Sequence, residues 1–365
     1  MVATNLPFNF RYCSLLMASR ATHESHDTLS EPTRDTVRGV LECFGGPPLS
    51  YYALLPDKSY FCSKQLNSVI SYVDVGRTRV ALGDPMGPSE SAVHFITQFM
   101  DYTRKERRRL VHYQVTDRMA QVFRELGYAC TKIGEDAVVQ LSQFNLKGKR
   151  FQDLRTANNK MNRLSVTCEE LRLEAVDQRD FDALSNISSA WLRAQKAREL
   201  TFSMGCFKPE SALFNESRTF VGRDHLGQII GFITFVPIFG ASDFRRGWGL
   251  DLMRANGEVG TLIEYLISSA MTTFASERAE IVSLGLSALA GSLKADPWAT
   301  QHAYTSRAID AAYNRCNRVY SFKGLHAFKD KFGPDWEPRY LVCRKQHSLL
   351  PSVYAVLRAH RIREY

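Results

Sequence analysis

The feature that most constrains this chain is an order of elements that occurs twice. In the first half, Asn67 to Val73 and Arg79 to Leu82 alternate as paired strands around Gly76. Ser89 to Arg108 follows, with Ala92, Ile96, Phe99 and Thr103 at helical spacing. Leu110 to Val115 then reads as a strand, and Asp117 to Leu126 as a helix capped by Thr116 or Asp117 and stopped by Gly127. Ala137 to Leu141 is a further strand. In the second half, Thr219 to Arg223 and Gln228 to Val236 form a hairpin around Asp224-His225-Leu226-Gly227, and Trp248 to Met253 adds a strand. Gly260 to Arg278 places Leu262, Leu266, Ile267, Ala270, Met271 and Phe274 on one helical face. Ile281 to Leu286 is predicted as strand, Thr300 to Tyr313 as helix, and Arg318 to Phe322 and Arg339 to Cys343 as strands.

Hairpin, strand, helix, strand, helix, strand is the order of an N-acetyltransferase-like (GNAT-like) fold. Its repetition predicts an α/β chain of the α+β type: tandem GNAT-like folds whose mainly antiparallel mixed sheets are flanked by helices. Identity between the halves is weak, so this repeat is one of element order. The expected organisation is a poorly ordered segment over 1–40, a first lobe over 41–146 and a linking helix within 147–170. A second lobe over 171–346 and a C-terminal helix over 347–365 complete it.

With 365 residues, 44% of them apolar and 23% charged, the chain can bury a substantial core. Lys and Arg number 47 against 38 acids, a net charge of +9 that suits a polyanionic partner or serves solubility alone. The eight cysteines are widely spaced with no CxxC pair, which predicts reduced thiols and neither a zinc site nor a disulfide framework. The longest apolar run, Ile229 to Ala241, contains Gly231, Pro237 and Gly240 and is too short to span a bilayer; no signal-peptide core is present. Any membrane is therefore expected to be met from the side.

Several motifs share one order along the chain. They are Ala81-Leu82-Gly83-Asp84-Pro85-Met86-Gly87, Gly134-Glu135-Asp136-Ala137, Phe202-Ser203-Met204-Gly205, Asp251-Leu252-Met253-Arg254 and Leu284-Gly285-Leu286. Residues 323–332, from Lys323-Gly324-Leu325 to Asp330-Lys331-Phe332, and then Trp336-Glu337-Pro338-Arg339-Tyr340 complete the set. On these residues, across roughly 50 to 345, the chain resembles the C-terminal domain of bacterial phosphatidylglycerol lysyltransferases (the multiple peptide resistance factor type) and their alanyl relatives. The resemblance implies transfer of a lysyl or alanyl group from aminoacyl-tRNA to the hydroxyl of phosphatidylglycerol or a related lipid. It implies no cofactor and no metal, a cytoplasmic enzyme peripheral to the inner face of the membrane, and a role in antimicrobial peptide resistance. The flippase that precedes this domain in many members is expected to be absent. Cys316-Asn317-Arg318 stands where many relatives carry Gly-Glu, which leaves the amino acid open.

Ester exchange from an activated donor requires a place for two substrates, help in deprotonating a hydroxyl, and oxyanion stabilisation. Asp251 and Arg254 are the leading candidates. Leu250, Leu252 and Met253 make their strand apolar, so a carboxylate inside it needs a partner. Positions three apart in a regular strand face opposite ways, but Ala255-Asn256-Gly257 predicts a strand end near Arg254 that lets the guanidinium swing back. The resemblance implies that both line the transfer site; the other reading is a buried ion pair that fixes the strand. Lys329 and Lys331 suit a phosphate oxygen, or are snorkelling surface lysines. Glu264 is a possible second carboxylate or an exposed helix residue, while Asp84 and Glu135 are ambiguous turn residues.

Two basic clusters stand out. Lys147, Lys149, Arg150, Arg155, Lys160 and Arg163, interleaved with Asn158, Asn159 and Asn162, are read as a tRNA-binding helix, with a solvated face as the other reading. Arg104, Lys105, Arg107, Arg108 and Arg109 surround one Glu at a helix end, where cations also suit the dipole. Leu349 to Arg363 suits either an anionic bilayer surface or a packed terminal helix.

Three alternatives remain open. One is aminoacyl-tRNA-dependent transfer to a peptide, peptidoglycan precursor or sterol. Another is acetyl-CoA-dependent N-acetylation, which the junctions at 84–89 and 254–259 fit poorly. The last is non-catalytic RNA or lipid binding.

Overall fold

In the computed structural model, the structure describes residues 33–172, 176–195, 199, 201–207, 216–242, 245–257, 259–288, 322–344 and 349–360. The helix predicted over 300–313 and the 316–318 tripeptide lie outside the described residues, as does the strand predicted over 318–322 except for Phe322, which opens a helix instead.

The helices form where amphipathic spacing places them. α1 (Arg34–Phe44) opens on a capping box between Thr33 and Thr36 and buries Val37, Val40 and Leu41. α2 (Ala92–Lys105) buries Ala92, Phe95, Ile96, Phe99 and Thr103, which includes the whole predicted stripe. α3 (Asp117–Glu125) is capped by Thr116, whose hydroxyl accepts from Met119 N, and the chain turns away at Gly127 with a φ of +79°. Next come α4 (Gln152–Arg163), α5 (Gln178–Ala194), α6 (Val259–Ser276), α7 (Phe322–Asp330) and α8 (Leu349–Ala359). Leu262, Leu266, Ile267 and Phe274 of α6 are buried, each contributing about 1.5–3 kcal/mol by area transfer.

Among the described residues, eleven strands form one mixed sheet: β1 (Ser59–Ser63), β2 (Ser68–Val75), β3 (Thr78–Leu82), β4 (Arg109–Thr116), β5 (Ala129–Gln140), β6 (Thr167–Leu171), β7 (Arg218–Arg223), β8 (Ile229–Phe239), β9 (Arg245–Ala255), β10 (Ile281–Ala288) and β11 (Asp335–Cys343). Their order is β1-β2-β3-β4-β11-β5-β10-β9-β8-β7-β6. Two neighbouring pairs are parallel, β3 with β4 and β9 with β10, and each is joined through a helix, α2 or α6. Both therefore occupy matching places in the predicted repeat. The fold is the expected α/β class, with a mainly antiparallel mixed sheet flanked by helices.

The centre of the sheet departs from simple juxtaposition. β11 lies between β4 and β5, and β5 lies between β11 and β10. The last strand of each half is thus built into the sheet of the other. Within 147–170, α4 follows a 3-10 turn over Lys149–Phe151, and the chain after it forms β6 beside β7. Helix is established already at Arg34, inside the 1–40 segment expected to lack order.

Candidate functional site

β9 and β10 pair in parallel only from Gly247–Ile281 to Gly249–Ser283, and past that point they separate. Each carries a bulge where the fork opens. On β9, Leu250 pairs with Phe235 and Met253 with Ile233, so Asp251 and Leu252 both face Thr234. The Thr234 hydroxyl accepts from Leu252 N at 3.1 Å and fixes the extra residue. On β10, Ser283 pairs with Val138 and Leu286 with Asp136, so Leu284 and Gly285 both face Ala137. Gly285 has a φ of +79°, which an L side chain strains to adopt.

The β9 bulge changes the parity on which the sequence argument relied. In a regular strand Asp251 and Arg254 face opposite ways. Here the extra residue returns Arg254 to the side of Asp251, without any swing at a strand end. Arg254 lies over the Trp191 ring of α5, its guanidinium carbon 3.9 Å from the ring centroid, and pairs with Glu199 at 3.2 Å. Asp251 accepts a hydrogen bond from Gly205 N at 2.7 Å and another from the Tyr52 hydroxyl at 3.0 Å. Burial pushes the Asp251 carboxyl above its ordinary range, while the Gly205 and Tyr52 donors and the Arg254 charge pull it down. Burial and the Asp251 charge push the Tyr52 phenol well up, so it stays protonated as a donor. A Cβ on Gly205 would sit 2.2 Å from Asp251 Oδ2, so only glycine allows this approach.

On the other side of the fork, Lys329 is buried and donates to the carbonyls of Gly285 at 2.9 Å and Leu286 at 3.0 Å. Burial lowers its ammonium to about 8, against the opposing pull of Asp136. Asp136 accepts from Ser283 Oγ at 2.8 Å and from Arg339 at 2.9 Å. The Tyr52 phenol is raised further by the charges of Asp251, which it touches, and of Asp136. The arrangement offers a carboxylate of raised pKa, two cations and a protonated phenol around a strand fork, the groups an acyl transfer needs.

Lys331 and Glu264 pair with each other at 2.6 Å, Glu264 being buried rather than exposed on α6. Asp84 accepts from Thr116 N and Oγ at 2.9 and 2.6 Å, tying the β3 end to the start of α3. Glu135 pairs with Lys132 at 2.7 Å. Lys147, Lys149, Arg150, Lys160 and Arg163 are exposed. Arg155 is partly spent on the Leu146 and Gly148 carbonyls at 3.0 and 2.6 Å. Asn158 accepts from Ser268 Oγ of α6 at 2.9 Å and belongs to the α4–α6 contact, while Asn159 and Asn162 are exposed.

Sequence reasoning did not assign Tyr52, Trp191, Glu199, Asp136 or Arg339 to the site. Gly205, Asp136 and Arg339 sit inside motifs quoted above, which is the one signal that pointed to them. Tyr52 lies 199 positions from Asp251 with no local pattern to link them.

The doubled hairpin–helix–parallel-strand order and the forked, bulged strands define a protein of the tandem N-acetyltransferase-like class. FemX shares this fold, with a TM-score of 0.51 at 10% identity over 96% of this chain and 100% of that one. A family model described as "Phosphatidylglycerol lysyltransferase, C-terminal" matches residues 38–343, and the chain belongs to that family. It is similar to the phosphatidylglycerol lysyltransferase of Bacillus subtilis strain 168, 29% identical over 322 residues that cover 86% of this chain and 35% of that one. A Staphylococcus epidermidis protein of the same name is 27% identical over 326 residues, 88% of this chain and 37% of that one. The chain thus spans little more than a third of the length of these curated relatives. Among solved structures, L-PGS from Bacillus licheniformis superposes with a TM-score of 0.74 at 27% identity, covering 90% of this chain and 96% of that one. The C-terminal domain of a putative lysylphosphatidylglycerol synthetase from Agrobacterium fabrum gives 0.74 at 26%, covering 89% and 95%. Among the described residues, no helix is long and apolar enough to cross a membrane.

Proposed function

We propose that this chain transfers an aminoacyl group, lysyl or alanyl, from aminoacyl-tRNA to a hydroxyl of phosphatidylglycerol or a related anionic lipid. The observation that carries the reading is Asp251, held by Gly205 N–H and the Tyr52 hydroxyl, with Arg254 on its own side of a bulged strand. In this reading the lipid hydroxyl attacks the aminoacyl carbonyl. Its proton passes to Asp251, the new ester forms on the lipid, and the ester bond to the tRNA ribose breaks. Arg254 and Lys329 supply positive charge for the tetrahedral oxyanion, and the proton leaves with the released ribose hydroxyl. The exposed cations flanking and lining α4 offer the tRNA a phosphate-binding face. Lysylation turns an anionic headgroup cationic, which weakens the attraction of cationic peptides and fits a part in antimicrobial peptide resistance. Acting on a membrane lipid from a peripheral position at the inner face suits a chain with this fold.

The test is incubation of the protein with total charged tRNA and a total lipid extract, followed by mass spectrometry of the lipids. An aminoacylated phosphatidylglycerol that vanishes when the tRNA is deacylated beforehand is the expected product. Amine acetylation from acetyl-CoA, with no modified lipid, overturns the reading.

A further inference from the structure

α8 is apolar on its inner face and along most of its outer face, where Arg358 is the one charged residue. Its inner face, with Leu349, Ala355, Val356 and Ala359, packs against β2 and β3. Its outer face exposes Leu350, Val353, Tyr354 and Leu357 by 68%, 38%, 63% and 56%. These sit at i, i+3, i+4 and i+7, one continuous stripe. The other exposed large apolar residues among those described, Val93, Leu164, Phe181 and Leu226, are on different elements. A helix that leaves such an apolar stripe open at a surface is built to be covered.

Beside the first turn of this helix opens a cleft of about 880 Å³, to which Pro351 and Ser352 contribute. Arg104, Arg107, Arg108, Arg109 and Arg344 also line it, with Asp101 as the one acid among its described lining residues. Arg104 pairs with Asp101, and Arg108 reaches Asp74 and Glu106. Arg107, Arg109 and Arg344 have no acidic partner among the described residues. The sequence contains the same Arg run, and the proposed transfer chemistry does not use it.

We propose that the outer stripe of α8 and the adjoining arginine cleft together form the surface by which this chain docks on an anionic phospholipid bilayer. Leu350, Val353 and Leu357 enter the acyl boundary, Tyr354 lies at headgroup level, and the arginines take the phosphates. A second copy of the chain fits poorly, because a shared interface would bring two sets of unpaired arginines together. RNA satisfies the arginines but offers nothing to three aliphatic side chains on a helix face. The far end of α8 reaches the candidate site. His360 meets Ser203 Oγ through Nε2 at 2.8 Å and accepts from Thr201 N through its carbonyl at 3.2 Å, two and four residues before Gly205. A chain docked through α8 therefore has the 201–205 segment, whose Gly205 holds Asp251, directly behind the docking helix. This inference deepens the proposed function and rests on it for the choice of a lipid surface.

The test is sedimentation of the full chain with vesicles of equimolar phosphatidylglycerol and phosphatidylcholine, and with phosphatidylcholine alone. The variants are Leu350→Glu with Leu357→Glu, and Arg107→Glu with Arg109→Glu, each checked for an unchanged thermal melt. One basic residue at an anionic leaflet is worth roughly fivefold in binding. Each double variant is therefore expected to bind anionic vesicles at least ~10-fold more weakly, and the fall of affinity with salt should persist in the leucine variant and flatten in the arginine variant. tRNA binding should stay as in wild type. Transfer to a detergent-dispersed lipid acceptor should also persist, which separates failure of docking from failure of the transferase reading. Undiminished vesicle binding by both double variants overturns the proposal. So does loss of tRNA binding in the arginine variant, which makes the cleft an RNA surface, or a dimer that the leucine variant dissociates.

Discussion

At the scale of single residues the site turns on how Asp251 is held. Its carboxyl is raised by burial in the fold, so it binds a proton more tightly folded than unfolded. That contribution to stability is present at low pH and is lost as pH rises through the folded value. Asp251→Asn should therefore leave the melting temperature near neutral pH unchanged or slightly raised. Transfer should fall at least ~100-fold, a barrier change of about 2.7 kcal/mol; Arg254→Ala should lower transfer as much. Thermal melts and transfer rates on the same preparations decide this, and near wild-type transfer by a folded Asp251→Asn protein removes it from the mechanism. Tyr52→Phe removes one donor from the carboxylate, and Gly205→Ala sets a Cβ against Asp251 Oδ2 that pushes the carboxylate off its other donor, the backbone N–H of residue 205. A hydrogen bond to a charged group is worth about 1.5–3 kcal/mol, so each variant should lose ~10-fold or more in transfer. The acid limb of the pH–rate profile should move to higher pH in both, since the missing donors had lowered the Asp251 value. On the alkaline side, Lys329 is an ammonium below about 8 and an amine above it. Its folded value lies below that of the unfolded chain, so its charging costs stability as pH falls from the ordinary lysine range to about 8, and no further below. If its charge serves the oxyanion, transfer should decline as pH rises through about 8, and Lys329→Arg should remove that limb from the profile.

At the scale of elements, the helices are legible in the sequence because their burial has a period of only a few residues. α2 and α6 show this in the match between Ala92, Ile96, Phe99, Thr103 or Leu262, Leu266, Phe274 and the buried faces. The bulges are not legible, because a bulge is a mismatch between two strands and neither strand alone contains it. The sequence singles out Asp251 and Arg254, yet the reason they share a side lies in Thr234 on another strand. Glu264 reads from the sequence as an exposed residue of α6 because its partner, Lys331, is 67 positions away. The basic segment over 147–163 keeps most of its cations exposed, with Arg155 turned to backbone carbonyls. Replacing Lys147, Lys149, Arg150 and Lys160 together by Ala should weaken binding of all tRNAs alike. It should also flatten the dependence of log K on log salt by up to about 3.5, at ~0.7–0.9 for each phosphate no longer neutralised. An unaltered slope, measured by filter binding over a salt series, would mark these residues as a solvated face only.

At the scale of the whole molecule, the repeat visible in the sequence gives two sets of elements but not their interleaving. β11 pairs with β4 and β5, whose residues lie some 200 positions earlier, and no local pattern encodes such pairing. The exchange has an energetic consequence. Without β11, β4 would lose its inner neighbour, and β5 would face solvent along a strand whose Ala137, Val138 and Val139 are buried. The same seam holds the buried Arg339–Asp136 pair at 2.9 Å, one member from each half. Removing one partner of such a pair typically costs about 3–5 kcal/mol, because the other charge is stranded. A piece ending at 146 contains Asp136 without Arg339, and a piece beginning at 147 contains Arg339 without Asp136. Neither piece alone should therefore fold. Expressed separately, 33–146 and 147–365 are each expected to lack a cooperative thermal transition. Expressed together, they should associate and recover one transition, because each supplies the other's missing strand and counter-charge. A cooperative melt from either isolated piece, followed by circular dichroism, would show that the exchanged strands are dispensable. In that case the fork at β9 and β10 would owe its shape to the second half alone.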